Sequence, residues 1–146
     1  MFGSIVVGTD GSDTATQAVR QATELARAVG ARIELVSAYE PVSDARLREE
    51  IVVPEDLHWI INPREDVIAT LEAAAAEIRA AGVEVAVFAR QGDPADAILD
   101  VAEERGSDLI VLGNKGMTGA KRFLLGSVPN KVSHHAPCSV LIIRIQ

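Results

Sequence analysis

The segment from Gly113 to Val128 contains the residue types and the spacing best suited to chemistry. Gly113 and Gly116 lie three residues apart, and a Gly126-Ser127 pair comes just before a stretch with helical periodicity. Glycines allow a ligand to approach the backbone closely. A helix N-terminus offers unpaired N–H groups and the positive end of the helix dipole, which attract anions. Together these features could hold the phosphate groups of a nucleotide.

Positive charge in this segment comes from Lys115, Lys121 and Arg122, within a chain whose net charge is −7. The Ser127 hydroxyl could either cap the following helix or bond to a phosphate oxygen. The segment does not match the Walker pattern GxxxxGK[ST], and it is not a GxGxxG motif after the first strand. An ordinary glycine-rich connection with a capped helix is therefore an alternative interpretation.

The elements that must position this segment are short Val- and Ile-rich runs that alternate with amphipathic stretches. The first helix should bury a stripe at spacings of three and four residues, made of Ala15, Ala18, Val19, Ala22, Leu25, Ala26 and Val29. The predicted strands are Ile5–Val7, Arg32–Ala38, Val83–Val87, Asp108–Leu112 and Ser139–Ile143. The predicted helices run from Ser12 or Asp13 to Val29, from Asn62-Pro63 to Ala81, from Asp93-Pro94 to Arg105, and from Ser127 to His135.

This alternation predicts an α/β fold, a Rossmann-like, doubly wound parallel sheet of five strands with four helices. Sheets of this kind bind ligands at the carboxyl ends of the strands, where the winding reverses. The turns after the first and fourth strands, at Asp10 and Gly113, are therefore the first places to expect a site. Residues 39–61 are the least regular stretch, with prolines at 41 and 54, and are predicted to form a long loop.

Length, composition and charge narrow the classes of function. A chain of 146 residues suits one domain, which we expect to span 1–146. The acidic charge disfavours binding to nucleic-acid backbones, which requires a basic face. No apolar stretch approaches the ~20 residues of a membrane span, and the first residues lack the basic region of a signal peptide. The single cysteine, Cys138, excludes an internal disulfide and fits a reducing cytoplasm.

The pattern Gly113-x2-Gly116-x9-Gly126-Ser127 resembles the ATP-binding signature of the universal stress protein family. The resemblance implies an adenine nucleotide alpha hydrolase-like fold, a homodimer joined through the last strand, and ATP in the crevice where the winding reverses. Similar segments occur along nearly the whole chain, at Ile5–Ser12, Gly92–Ile98, Asp108–Gly113, Leu124–Val128 and Pro137–Ile143.

The resemblance also implies roles for individual residues. Asp10 should meet the ribose or the adenine side, since a carboxylate accepts hydrogen bonds from sugar hydroxyls. Thr9 and the backbone near Ala38 should line the adenine, and residues 112–113 should lie under the ribose. Gly116 and residues 126–128 should hold the phosphates. The complete expected nucleotide-binding set is Gly8, Thr9, Asp10, Ala38, Leu112, Gly113, Asn114, Gly116, Gly126, Ser127 and Val128.

Several functions remain open from the sequence. The first is a stress-response regulatory dimer that binds ATP with Mg²⁺ and hydrolyses it slowly or not at all, because no Ser/His/Asp constellation is evident. A compact basic pocket at Lys121 and Arg122 could instead suit cyclic AMP, in a sink or a sensor. A third possibility is a partner-binding module with an empty loop, although the sequence identifies no protein partner.

Two other doubly wound classes fit poorly. A phosphoacceptor receiver should have an acidic residue at the end of the third strand, which reads Ala89-Arg90-Gln91. A flavodoxin should offer aromatic side chains to enclose a flavin, and this chain has one Trp, one Tyr and three Phe. The site, rather than the fold, must therefore decide the function.

The remaining candidate residues have simpler interpretations. His134 and His135 are adjacent, so on a helix they point about 100° apart and cannot chelate one metal ion. Cys138 is expected to be a packed thiol, and Asp10 could serve only as a turn residue before glycine. The last strand is apolar at Val140 and Ile142, and such an edge favours pairing with a second copy.

Overall fold

The computed structural model describes residues 2–40, 64–114 and 126–145. These residues form five strands and four helices. In chain order they are β1 (Ser4–Gly8), α1 (Asp13–Val29), β2 (Arg32–Tyr39), α2 (Arg64–Ala80), β3 (Val85–Gln91), α3 (Pro94–Glu104), β4 (Leu109–Gly113), α4 (Ser127–His135) and β5 (Ser139–Ile143). None of these helices is long and apolar enough to cross a membrane.

The strands form one parallel sheet in the order β3-β2-β1-β4-β5. The chain adds strands in one direction from β1 to β3 and then in the other direction from β4 to β5. The winding therefore reverses between β1 and β4, whose register pairs Val7 with Val111. The predicted doubly wound α/β architecture is confirmed.

Alternate strand residues build a hydrophobic core on each face of the sheet. Ile5 and Val7 point to one face, where they join buried residues of α1 and α2. Val6 and Ile110 point to the other face, where α3 and α4 cover them. Since both faces are covered, β1 and β4 read as continuous apolar runs rather than as alternating ones.

The first helix is capped by Ser12, one of the two predicted caps, whose hydroxyl accepts a hydrogen bond from the Ala15 N–H at 3.3 Å. Val29 was expected to be buried but is 40% exposed. A Cβ built on the adjacent Gly30 would meet no atom within 4 Å, so this end of the helix faces open space. Thr23 is buried in the stripe instead, because its hydroxyl donates to the Val19 carbonyl at 2.8 Å.

Several boundaries differ from those predicted. β3 begins at Val85 rather than Val83 and continues to Gln91. β4 begins one residue later than expected, at Leu109, although the Asp108 N–H donates to the Ser4 carbonyl at 3.1 Å and its side chain accepts from the Gly3 and Ser4 amides. The cap predicted at 62–63 and most of the loop predicted at 39–61 lie outside the described residues.

One carboxylate is buried inside the sheet. Glu34 on β2 is 0% exposed, and its oxygens accept hydrogen bonds from Arg32 Nε at 2.6 Å and Arg105 Nε at 3.2 Å. The Ser4 hydroxyl donates to the same carboxylate at 3.4 Å. A buried charge needs such partners, because water no longer solvates it. These bonds join β1, β2 and the residue that follows α3.

Candidate functional site

A crevice lies where the winding of the sheet reverses. The carboxyl ends of β1 and β4 are neighbours, and the chain leaves them toward opposite faces of the sheet, so the following segments separate. The crevice is lined by residues from β1, α1, β4, α4 and the segment after β5. They are Gly8, Thr14, Ala15, Ala18, Leu112, Gly113, Val128, Pro129 and Ile145.

The turn after β1 is fixed by hydrogen bonds on every side of Thr9. The Thr9 N–H donates to the Val36 carbonyl at 2.9 Å, and its carbonyl accepts from the Ser37 hydroxyl at 2.6 Å. The Thr9 hydroxyl oxygen accepts from the Gly11 N–H at 3.0 Å. Thr9 itself is buried. Its backbone and side chain therefore hold the turn, and the following residue projects from a rigid support.

Asp10 is partly exposed at the tip of this turn. Its Oδ1 accepts a hydrogen bond from the Ser12 N–H at 2.8 Å, as in an Asx turn. A carboxylate has about four acceptor positions, so this bond leaves capacity for a ligand hydroxyl. The turn role of Asp10 is observed, and it is compatible with a binding role.

Ala38 lies beside this turn on β2. Gly8, the last residue of β1, pairs with Val36, so Ala38 is two residues beyond the end of β1. Its side chain is buried in the core against α3 and α4. Only the backbone of Ala38 can therefore face a ligand at the sheet edge, as the family resemblance implied.

The end of β4 is attached to its surroundings through Asn114. The Asn114 N–H donates to the Ile143 carbonyl at 2.8 Å, and the Asn114 carbonyl accepts from the Gly126 N–H at 3.1 Å. Its side-chain Oδ1 accepts from the Ile145 N–H at 2.7 Å. Gly113 packs closely here, because a Cβ on it would lie 3.0 Å from Ile145 Cγ1.

The N-terminus of α4 has no side-chain cap. Gly126 occupies the N-cap position in an extended conformation, and Ser127 is the first helical residue. Of the two roles considered for the Ser127 hydroxyl, capping this helix is not the one observed, because the cap falls on the preceding residue, which has no side chain. Within residues 2–40, 64–114 and 126–145, no acceptor bonds to the Ser127 or Val128 N–H. Pro129, the third helical residue, has no N–H to offer.

Comparison with known proteins identifies the family. The model of the universal stress protein family matches residues 1–144.

This chain belongs to the universal stress protein family.

Two kinds of relative support this assignment. Universal stress protein YxiE of Bacillus subtilis is 36% identical over 150 residues, which cover 99% of this chain and 100% of that protein. A crystal structure of a universal stress protein in complex with cAMP superimposes with a TM-score of 0.73 at 30% identity, covering 98% of this chain and 97% of that one.

A second solved structure is that of the universal stress protein from Archaeoglobus fulgidus in complex with dAMP. It has a TM-score of 0.67 and 26% identity, with 97% of this chain and 98% of that chain covered. The family resemblance drawn from the glycine pattern and the predicted fold are both confirmed.

The predicted site of this universal stress protein lies largely within the described residues. Ten of its eleven members surround the crevice or the turns that border it. Gly116 lies outside the described residues, as do Lys115, Lys121 and Arg122. The sequence analysis missed Ile145, which lines the crevice and is 2% exposed. Its one indication was an apolar residue two positions after Ile143, on the same side of the extended chain.

The positive charge of Lys131, on the helix α4 of this universal stress protein, is already paired with carboxylates. Lys131 on α4 lies 2.9 Å from Asp96 Oδ1 and 3.3 Å from Asp93 Oδ2. Hydrogen bonds to Asp96 and Asp93 raise the pKa of Lys131, so it stays protonated. Because its charge is already paired with acidic groups at the start of α3, the backbone N–H groups of α4 are the better described anion donors.

The residues with simpler interpretations take the places expected for them. His134 and His135 are exposed in the last turn of α4. Burial raises the pKa of the half-buried Cys138 thiol, which keeps it a neutral packing group. In the part of the chain that the structure describes, no three His, Cys, Asp or Glu side chains form a metal-binding group.

Proposed function

We propose that this universal stress protein binds an adenine nucleotide at the carboxyl ends of β1 and β4. The observation that carries the proposal is the uncapped N-terminus of α4, which lies beside Gly113 at the reversal of the sheet. The solved relatives in complex with cAMP and dAMP support an adenine nucleotide as the ligand class. Both ligands carry a phosphate that requires donors of this kind.

Each part of the nucleotide would have a complementary group at the crevice or in the turns that border it. The Ser127 and Val128 N–H groups would donate to phosphate oxygens, and the helix dipole would add to the attraction. The free acceptor capacity of the Asp10 carboxylate would receive a ribose hydroxyl. Thr9 and the Ala38 backbone would border the adenine, which needs directional hydrogen bonds more than charge.

Among nucleotides we propose ATP, bound with Mg²⁺, because the glycine pattern at positions 113, 116 and 126 resembles the family's ATP signature. Mg²⁺ would neutralise phosphate charge, and it commonly uses one or two carboxylates together with phosphate oxygens and water. Such a site needs no protein cage, in keeping with the lack of a three-ligand cluster among the described residues. Asp10 is a described carboxylate at this edge, two residues after β1.

We propose that ATP hydrolysis is slow or absent. Efficient phosphoryl transfer requires a group that orients the attacking water as well as groups that hold the phosphates. Ser127 is exposed and makes no side-chain hydrogen bond to a base among the described residues, and the remaining acceptor capacity of Asp10 is the one assigned above to the ribose. The described residues at the crevice therefore offer groups that could hold a nucleotide, but they do not offer a group placed to orient an attacking water.

Cyclic AMP is the second candidate ligand. The observation that favours it is the cAMP complex of a relative that is 30% identical over nearly the full length of both chains. A cyclic phosphate has fewer charges than a triphosphate, so the Ser127 and Val128 N–H groups, which bond to no acceptor among the described residues, could satisfy a larger share of its oxygens. In this case the protein would act as a cyclic AMP sink or sensor.

We further propose that the chain forms one domain, acts in the cytoplasm, and pairs with a second copy through β5 as a stress-response regulatory dimer. Among the described strands β5 has β4 as its neighbour on one side, and its Leu141 is 41% exposed. An apolar edge strand invites pairing, and isologous contact would cover it in both copies.

Calorimetric titration of nucleotide-free protein with ATP–Mg²⁺ and, separately, with cyclic AMP tests the ligand. Ser127→Pro is a sharp variant, because proline is favoured at the first helical position and Gly126 already has the extended conformation required before it. Proline removes both the N–H and the hydroxyl, whereas Ser127→Ala removes the hydroxyl alone. We expect Ser127→Pro to weaken binding more than Ser127→Ala.

The outcomes separate the candidates. Tighter binding of ATP–Mg²⁺, reduced by Ser127→Pro, supports the ATP proposal. Tighter binding of cyclic AMP with the same sensitivity favours the second candidate. Absence of heat with both ligands, or binding that Ser127→Pro leaves unchanged, would contradict a phosphate site at the start of α4.

A further inference from the structure

We propose that Asn114 is a positioning residue that couples the start of α4 to the segment following β5. In this arrangement the location of the Ser127 and Val128 amides depends on Ile145, a residue about twenty positions further along the chain. The coupling is a property of the ligand-free fold. Its consequence for nucleotide affinity rests on the proposed function.

The hydrogen bonds of Asn114 connect three separate parts of the chain. Its N–H donates to Ile143 O at 2.8 Å, at the end of β5. Its carbonyl accepts from the Gly126 N–H at 3.1 Å, at the cap of α4. Its side-chain Oδ1 accepts from the Ile145 N–H at 2.7 Å. One residue thus fixes the ends of β4 and β5 and the beginning of α4 relative to one another.

Ile145 is fixed on its other side by packing. Its side chain is 2% exposed and lines the crevice together with Gly8 and Ala18. The absence of a side chain on Gly113 leaves the space that Ile145 Cγ1 occupies, because a Cβ there would be only 3.0 Å away. A displacement of Ile145 would therefore also affect Asn114 and the crevice, since the Ile145 amide is bonded to Asn114 and its side chain lines the crevice.

The side chain of Asn suits this position for a chemical reason. The bond to Ile145 needs an acceptor that reaches past the end of β4, and the Asn carboxamide oxygen provides it without a charge. Alanine would keep both backbone bonds of residue 114 and lose the bond to Ile145. Aspartate would keep an oxygen acceptor of the same length, so it serves as the conservative replacement.

Amide hydrogen exchange in the ligand-free protein, followed by NMR, tests the coupling. In Asn114→Ala we expect exchange of the Ile145 amide to rise, and exchange of the Gly126 amide to rise about tenfold as well. The second effect is diagnostic, because Gly126 bonds to a backbone carbonyl that alanine retains. Asn114→Asp should restore protection at both amides. Amides of β1 and β4, such as those of Val6 and Ile110, should stay protected.

Two further variants keep the test decisive. Asn130→Ala is the matched control, because Asn130 is an exposed asparagine of α4, the helix whose start is being tested; it should leave the Ile145 amide unchanged. Ile145→Ala disturbs the coupling from its other end, so Gly126 exchange should rise even if Asn114→Ala does not fold. Unchanged Gly126 exchange in a folded Asn114→Ala or Ile145→Ala protein would overturn the coupling.

Titration with the nucleotide that the wild type binds then tests the positioning role separately. We expect Asn114→Ala to weaken binding about tenfold, and Asn130→Ala to bind as the wild type does. Increased Gly126 exchange with unchanged affinity would overturn the positioning role while the coupling stands. A wild type that binds neither ATP–Mg²⁺ nor cyclic AMP would overturn the proposed function and with it this role, and the exchange data would still decide the coupling.

Discussion

At the scale of single residues, Gly113 shows how closely the crevice is packed. We expect Gly113→Ala to lower the free energy of unfolding by about 1–3 kcal/mol, because its Cβ would lie 3.0 Å from Ile145 Cγ1 and force that side chain to move. Urea denaturation measures the change. In the Ile145→Ala background the same glycine substitution should cost less, since the opposing atoms are gone. Equal costs in both backgrounds would contradict this origin of the strain.

Asp108 should give the protein a pH-dependent stability. Hydrogen bonds from the Gly3 and Ser4 amides hold the pKa of the Asp108 carboxyl below its ordinary value. A lowered pKa in the folded state means that the stabilisation is full above the unfolded pKa of about 3.9. It is lost as the pH falls through the folded-state pKa.

We therefore expect Asp108→Asn to be less stable than the wild type at pH 7, and the difference to shrink as the pH approaches 2. Chemical denaturation across this range provides the measurement. Glu104→Gln serves as a comparison, because its partner Arg90 also lowers the pKa of that carboxyl, but at an exposed site. A stability difference for Asp108→Asn that does not change with pH would refute the assignment.

At the scale of elements, the buried Glu34 fastens strands and a helix end together. We expect Glu34→Ala to destabilise the fold by about 3 kcal/mol, because it leaves a cavity and removes the acceptor of two arginines and a serine. The arginine side chains are 39% and 41% exposed, so water can resolvate them once the carboxylate is gone.

Glu34→Met separates the charge from the volume. Methionine fills similar space, so it removes the cavity but, like alanine, leaves the two arginines and the serine without their acceptor. We expect its free energy of unfolding to lie between that of Glu34→Ala and that of the wild type, because the cavity contribution is restored. If Met costs as much as Ala, the lost hydrogen bonds and ion pairs of Glu34, rather than the cavity, account for the destabilisation.

The elements also show what can be predicted from sequence. The doubly wound parallel sheet followed from the alternation of apolar runs and helices, because right-handed crossovers leave few topologies. The cap of α4 could not be decided from the sequence, because Gly126 and Ser127 are both acceptable N-cap residues; in the structure Gly126 takes the cap position and its N–H bonds to the Asn114 carbonyl. Local sequence patterns do not reveal that the two residues joined by this bond lie close together in the fold.

The candidate site was predictable to a similar extent. Glycine spacing located its two sides, at Gly113 and Gly126, since both lie next to elements with clear periodicity. Ile145 and the side-chain role of Asn114 were not predictable, because each depends on a contact between β4 and the segment after β5. Lys115, Lys121 and Arg122 add positive charge to this part of the sequence, and they lie outside the described residues.

At the scale of the whole molecule, β5 connects the crevice to the proposed dimer. The Ile143 carbonyl at the end of β5 accepts a hydrogen bond from Asn114, and Ile145, in the segment after β5, lines the crevice beside Gly113. Leu141, on the same strand, is 41% exposed. A second copy paired on β5 would immobilise that strand, which accepts one Asn114 hydrogen bond at Ile143, together with the adjoining segment, which donates another from Ile145. Dimer formation and nucleotide affinity should accordingly favour one another, by the reciprocity of linked equilibria.

Substitution of Leu141 tests the dimer directly. We expect the wild type to sediment as a dimer at micromolar concentration and Leu141→Glu as a monomer, because a carboxylate on a paired strand edge would be desolvated next to its symmetry-related copy. Val29→Glu is a matched control, since Val29 is also an exposed aliphatic residue, at 40%, on the last turn of α1. It should remain a dimer. A wild type that sediments as a monomer would exclude the β5 interface, and monomers formed by both variants would mean that added charge, rather than its place on β5, dissociates the copies.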